Sequence, residues 1–372
     1  MNLLSMHIKR HVLGAMFVML FACNQAWADK SFNVRTIVSG LEHPWGMAFL
    51  PDGRILVTER PGRLRLIENN RLQPNPVMGL PSIAAVGQGG LLDIILHPDY
   101  SENGWLYFSY SAAGPGGIGT DIARAKLDGM ALKDVQVLFR MQPKSNGGRH
   151  FGSRLVIDKD HYLYITVGER GDRSQAQRLD DHGGSVIRLH DDGRVPADNP
   201  FVNRPNARPE IFSYGHRNPQ GLALHPKLGD LWSHEHGPQG GDEINIISAG
   251  RNYGWPVITY GVNYVIGTKI GEGTAKKGME QPLYYWDPSI APSGMTFYTG
   301  DKFPQWRNNL FIGSLKFELL VRLELNGARV VNEERLLKEE LGRIRDVHAG
   351  PDGYLYLLTD ERNGKLVQLT PN

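Results

Sequence analysis

The chain has 372 residues, 41% apolar and 22% charged, an ordinary balance for a packed soluble protein, and its 44 glycines and 23 prolines mark much of it as turns. The formal charge is only +2, and no cluster of Lys and Arg is present to neutralise a phosphate backbone. Nucleic acid is excluded as a partner on those grounds.

The first element in chain order is a targeting segment. Lys9, Arg10 and His11 precede an apolar run from Val12 to Cys23, and Ala26-Trp27-Ala28 is an A-x-A cleavage signal. The run is too short to cross a hydrocarbon core of about 30 Å as a helix, so no transmembrane segment is expected. The predicted organisation is a secretory signal over 1–28 and a single domain over 29–372, exported to the periplasm. Lipid attachment at Cys23, with outer-membrane association, is the alternative. Losing 1–28 removes Lys9 and Arg10 and no acidic residue, which leaves 39 basic against 39 acidic side chains. The single cysteine leaves with it, so the mature chain has neither disulfides nor thiol chemistry.

A turn-then-strand phrase then recurs. Pro51-Asp52-Gly53 leads into Arg54 to Glu59, and His97-Pro98-Asp99 with Asn103-Gly104 into Trp105 to Tyr110. Asp158 to Asp160 leads into Tyr162 to Val167, and His225-Pro226 with Gly229-Asp230 into Leu231 to Glu235. Phe303-Pro304 with Asn308-Asn309 leads into Leu310 to Ser314, and Pro351-Asp352-Gly353 into Tyr354 to Asp360. Asp-Gly and Asn-Gly supply the positive φ of tight hairpins, and the segments that follow are β-branched and aromatic at strand length. Six phrases give roughly 57 residues each, enough for a four-stranded propeller blade of about 40–45 residues with long loops. The predicted fold is all-β, a six-bladed β-propeller with four-stranded antiparallel blades, Val34 to Val38 joining the last blade. Glu334 to Leu341 is the one short helix expected. A propeller binds its ligand at one mouth of the central channel, so functional residues should be scattered along the chain.

Several loop motifs carry candidate chemistry. His150, in Gly148-Arg149-His150-Phe151-Gly152, lies on a Gly-rich loop, and a channel-mouth imidazole suits a general base. Arg217 and Asn218, between Gly215 and Gly221, can present donors to a carboxylate or carbonyl ligand. His234 and His236 would share a strand face, but their spacing is not that of a helical zinc motif. The Gly237-Pro238 turn offers carbonyl oxygens suited to Ca2+, and Glu243 and Tyr253 can serve a second ion. Arg343 and Arg345 alternate onto one face of an extended segment. Gly87-Gln88-Gly89-Gly90 lacks the third Gly of a dinucleotide fingerprint and reads as a tight loop presenting the Gln88 amide.

Together these phrases resemble the soluble pyrroloquinoline quinone (PQQ)-dependent sugar dehydrogenases, in particular their bacterial aldose sugar dehydrogenase branch. The similarity runs from His43-Pro-Trp-Gly46 to Pro351-Asp-Gly353. Its most specific pieces are Gly87 to Leu92, Gly215 to Gly221, Gly237-Pro238 with Asp242 to Asn245, and Arg343 to Asp346. The resemblance implies a six-bladed propeller that oxidises aldoses at C1 to aldonolactones, with PQQ and Ca2+. It implies that His150 removes the proton of the sugar C1 hydroxyl. Gln88, Arg217, Asn218, Tyr264, Leu315, Lys316, Arg343 and Arg345 match cofactor contacts, and the Gly237 and Pro238 carbonyls match ligands of the Ca2+. Implied partners are an aldose substrate and an unidentified electron acceptor, for a monomer or homodimer. Three positions depart from the glucose-oxidising branch: Arg149 stands for an Asp, Arg170 for a sugar-facing Gln and Ser289 for a Thr. Two other readings of a propeller are a Ca2+-dependent lactonase or esterase, which needs an acidic ring on the ion, and a module that only binds.

Overall fold

The computed structural model describes residues 32–372; the expected signal segment, its cleavage point and Cys23 lie outside the described residues. Twenty-four strands form six four-stranded antiparallel sheets set around a channel, the predicted propeller. Blades 1 to 5 are meanders spanning 44–72, 91–140, 155–214, 219–286 and 292–336. Blade 6 takes three strands from 344–371 and its outermost from Phe32–Leu41, which pairs antiparallel with Gly364–Pro371. The start and end of the described chain thus close the ring, as the Val34 to Val38 segment predicts. No described helix is long and apolar enough to cross a membrane.

The turn phrases have a local cause. In Pro51-Asp52-Gly53 the Asp52 carboxylate accepts the Arg54 N–H at 3.1 Å while Gly53 sits at φ +87°, a backbone state that costs a β-carbon. Asp352 and Gly353 repeat this before the penultimate strand. The apolar faces of the strands meet between blades rather than within one. Leu56 and Leu64 of blade 1 pack with Ile94, Leu106 and Phe108 of blade 2, and Trp232 and Ile244 of blade 4 with Met295, Leu310 and Ile312 of blade 5. Truncating one of these fully buried leucines to Ala should cost about 2–5 kcal/mol.

The expected helix at Glu334 to Leu341 is not formed: Arg329–Leu336 is the outermost strand of blade 5, and turns follow it. Helix-favouring residues are overridden by pairing, since Glu334 faces Arg322 across the ladder and accepts its Nε at 2.6 Å. The described helical turns are short, such as Tyr100–Asn103.

Candidate active site

The innermost strands are Pro44–Phe49, Leu91–Leu96, Leu155–Ile157, Pro219–Leu224, Pro292–Phe297 and Ile344–Ala349. Loops entering them, and residues leaving the antiparallel neighbours, gather at one mouth around a cavity of about 490 Å³. Of the expected residues, Gln88, Asn218, Leu315, Lys316, Arg343 and Arg345 line this cavity. Arg60, Trp45, Gln220, His236 and Asp360 join them.

His150 stands at its edge, between cavity-lining neighbours. Its backbone N–H donates to Gln88 Oε1 at 2.8 Å, and Phe151, next in the chain, lines the cavity. Its Nδ1 lies 2.5 Å from Glu169 Oε2, a buried carboxylate also anchored by the Gly171 N–H at 2.8 Å. With Nδ1–H donated to Glu169, the lone pair is on Nε2, which no described group occupies. Burial lowers the imidazole pKa below its ordinary 6.5, the Glu169 bond offsets part of this, and Arg217 adds to the lowering. The ring is therefore neutral and basic at neutral pH. Sequence reasoning passed over Glu169, whose signal is its place two residues beyond the strand Tyr162–Val167.

The cavity is cationic on one side. Arg345 is buried; its Nη2 donates to Asp360 at 2.6 Å and its Nη1 to Gln220 Oε1 at 3.4 Å, while its Nε has no partner. Burial alone would raise the Asp360 carboxyl, but Arg345, His43 and Arg343 hold it far below the usual range. Arg343, about half exposed, donates to the Leu315 carbonyl at 3.0 Å, and Lys316 is exposed beside it. His236 is kept neutral by burial, its pKa pulled down to about 3, with Nε2 at 2.6 Å from the Pro292 carbonyl.

The other expected residues fall in two adjoining hollows. Arg217, Gly237, Glu243 and Tyr253 line a narrow one with Glu235 and Thr259. Arg217 is thus set back from the main cavity; its Nη1 donates to the His236 carbonyl at 3.1 Å and its guanidinium faces Trp255. Glu243 and Glu235 both reach Asn245 Nδ2, at 3.4 and 3.5 Å, and burial followed by the charge of Glu235 pushes the Glu243 carboxyl well upward. Two buried carboxylates side by side call for a cation. The Tyr253 hydroxyl is committed to the Ile246 carbonyl and the Ser248 N–H, so only its backbone oxygen is available to an ion. Gly237, Pro238 and Tyr264 line a second hollow of about 320 Å³ that shares His236, Ala291 and Lys316 with the main cavity. The Gly237 N–H is held by Asp242 at 2.8 Å, and Ser289 also donates to Asp242. Neither the Gly237 nor the Pro238 carbonyl accepts a hydrogen bond among the described residues. Tyr264 is 56% exposed at the rim of this hollow, not in the main cavity.

Two motifs have other roles. His234 and His236 do not pair: the buried His234 ring has no hydrogen-bond partner, and His236 turns to blade 5. Arg170 stacks on Phe151 at 3.4 Å and donates to the Arg149 and Gly147 carbonyls, bracing the His150 loop rather than facing the cavity. His97, Asp99 and His161 come close enough for a metal ion but follow the far ends of innermost strands, across the propeller from this mouth. There His97 Nδ1 already accepts the Asp99 N–H at 3.0 Å.

Comparison with known proteins decides the family. Residues 41–368 match the family described as Glucose / Sorbosone dehydrogenase. The chain belongs to that family. The enzyme is 47% identical over 350 residues to the aldose sugar dehydrogenase YliI of Escherichia coli (strain K12), covering 92% of this chain and 94% of that one. Among solved structures it resembles the apo form of the soluble aldose sugar dehydrogenase (Asd) from Escherichia coli, with a TM-score of 0.89 and 46% identity over 92% of this chain and all of that one. The PQQ-bound form of aldose sugar dehydrogenase (Adh) from Streptomyces coelicolor matches with a TM-score of 0.75 and 30% identity, over 91% and 98% of the two chains. The enzyme is thus an oxidoreductase of the soluble PQQ-dependent aldose sugar dehydrogenase kind.

Proposed function

We propose that the enzyme oxidises aldose sugars at C1 to aldonolactones with PQQ and Ca2+ bound at this mouth, outside the cytoplasm, passing its electrons to a separate acceptor. The observation that carries the reading is Arg345. A buried guanidinium in the cavity wall, flanked by Arg343 and Lys316, suits an anion, and PQQ carries three carboxylates. Gln88 and Asn218 add amides, and Leu315 a wall, to the same cavity. Arg217 and Tyr264 would act from its flanks, Arg217 by holding the His236 carbonyl and Tyr264 from the rim. The free carbonyls of Gly237 and Pro238 are oxygen ligands of the kind Ca2+ takes, and Glu243 with the Tyr253 carbonyl would hold a second ion.

When bound, the quinone supplies the two-electron acceptor and the Ca2+ a Lewis acid. The protein's own part is proton transfer and placement. His150 Nε2 takes the proton of the C1 hydroxyl, while Glu169 keeps Nδ1–H in place and stabilises the imidazolium that results. A lactonase would need a ring of acidic ligands around the ion, whereas this mouth is rich in Arg and Lys. The test is sugar-dependent dye reduction by the purified protein, with and without added PQQ and Ca2+. Activity that needs both is expected; a hydrolase active without PQQ would overturn the reading.

A further inference from the structure

The six innermost strands share one level of the channel. Gly46, Asp93, Gly221, Gly294 and Asp346 are each the third residue of their strand, and Arg154 directly precedes the first residue of the short blade 3 strand. The ladder breaks register at this level in all five of those strands. Such breaks re-aim a side chain, here at the axis. The ring around the axis is therefore Gly, Asp, Arg, Gly, Gly, Asp. Two of the glycines make room for the charges: a β-carbon on Gly46 would stand 2.9 Å from Asp93 Oδ1, and one on Gly294 2.1 Å from Asp346 Oδ1, whereas Gly221 makes room for the His234 ring.

Arg154 fills the space so made. Its Nη1 lies 3.2 Å from Asp93 Oδ1 and 2.8 Å from Asp346 Oδ1, and its guanidinium covers the Trp45 ring at 4.2 Å. Nε donates to the Gln220 carbonyl at 2.8 Å and Nη2 to the Arg345 carbonyl at 3.4 Å. One buried side chain thus joins blades 1, 2, 4 and 6 to its own. On the far side lies a second cavity of about 260 Å³, walled by apolar side chains and bottomed by Asp93, Arg154 and His348, the last 3.2 Å from Asp346. The ion cluster divides the channel into two wells.

We propose that Arg154 is a positioning residue for cofactor binding: clamped by Asp93 and Asp346, it seals the channel and sets the spacing at which Gln220 meets Arg345 in the cavity floor. The two backbone carbonyls it holds belong to the same two residues whose side chains meet, Gln220 Oε1 and Arg345 Nη1. A planar fork can serve both carbonyls and both carboxylates; a Lys ammonium on the same stem cannot.

The inference rests on the quinone reading, and two measurements separate the failures. In the apoprotein, without ligand, unfolding free energies of Arg154→Lys, Arg345→Ala and the double variant should be non-additive, because the two residues share Gln220 and Trp45. PQQ titration of the apoprotein by intrinsic fluorescence should show the Kd rising about tenfold in Arg154→Lys, with no further rise when the change is added to Arg345→Ala. A wild type that binds no PQQ would count against the proposed function and leave the apoprotein coupling to judge Arg154. Additive unfolding energies, or an Arg154→Lys protein that binds PQQ as tightly as wild type, would overturn the positioning role. If Arg154→Lys does not fold, Asp93→Asn removes one jaw of the clamp at constant shape. Its PQQ Kd should rise, and an unchanged Kd would be equally decisive against the role.

Discussion

Two histidine–glutamate pairs, nineteen residues apart in each case, stand in neighbouring blades. His150 Nδ1 meets Glu169 in blade 3, and His216 Nδ1 meets Glu235 at 2.9 Å in blade 4. The difference lies at the other ring nitrogen. His216 Nε2 is taken by Ser213 Oγ at 2.9 Å, its ring stacks on Tyr253 at 4.6 Å, and no solvent reaches it. His150 keeps Nε2 open at the cavity edge. The same dyad is a brace where it is closed at both ends and, in the proposed function, a base where one end is open, so pairing with a carboxylate does not by itself identify a catalytic histidine.

The sharpest test of that contrast is His150→Asn. Asn keeps the bulk and some hydrogen bonding but cannot accept a proton, so turnover should fall by roughly 100- to 10,000-fold with quinone binding intact. Stopped-flow reduction of bound quinone by excess aldose measures it; a near wild-type rate would make His150 a second brace. Next in size is Glu169→Gln, which removes the negative charge that supports Nδ1–H and the imidazolium. Turnover should drop by about 100-fold. Because the Glu169 bond raises the His150 pKa, losing it should move the acid limb of kcat/KM to lower pH. In the wild type that limb should lie below the ordinary imidazole value of 6.5, since burial depresses the group and only its neutral form is a base.

The proposed cofactor clamps come third. Arg345→Ala should weaken quinone binding by about 2–5 kcal/mol, as expected for a buried charge-assisted contact. Arg343→Ala and Lys316→Ala should cost less, because both are open to water. Equal quinone affinities across all three variants would remove the assignment. The smallest effect on chemistry is expected of His216→Asn, the closed dyad. It should lower stability by about 1–3 kcal/mol through the stranded Glu235, read by thermal or urea unfolding. The acid limb of the rate should stay where it is. A shifted limb would mean that the blade 4 dyad also reports to the active site.

Much of the site was legible because a propeller places it by rule. His150, Gln88, Asn218 and Arg343 precede innermost strands, where Gly-rich or polar motifs stand out among turns. Of the missed residues, Trp45 and Gln220 lie within innermost strands, whereas three belong to a second set, which follows the next strand of each blade: Arg60, Glu169 and Asp360 come one or two positions after Ile55–Glu59, Tyr162–Val167 and Leu355–Thr359. Their signal was the six turn-then-strand phrases themselves, each of which delivers the chain back to the same mouth. Tyr264 was harder. It sits in a long excursion between strands of blade 4, where no repeat fixes depth, and it emerges at the rim.

By itself the sequence determined the number of blades, the ring closure and the residue types at the mouth. Those follow from local turn chemistry and from β-branched and aromatic runs of strand length, which neighbouring residues can encode. Only the tertiary structure decided which of the two paired histidines keeps a free nitrogen, which arginine is buried in the cavity wall, and that Arg154 stands on the axis between Asp93 and Asp346. Each of these depends on groups 15 to 192 positions apart being brought into one low-dielectric space, where a partner's presence or absence sets both charge state and function.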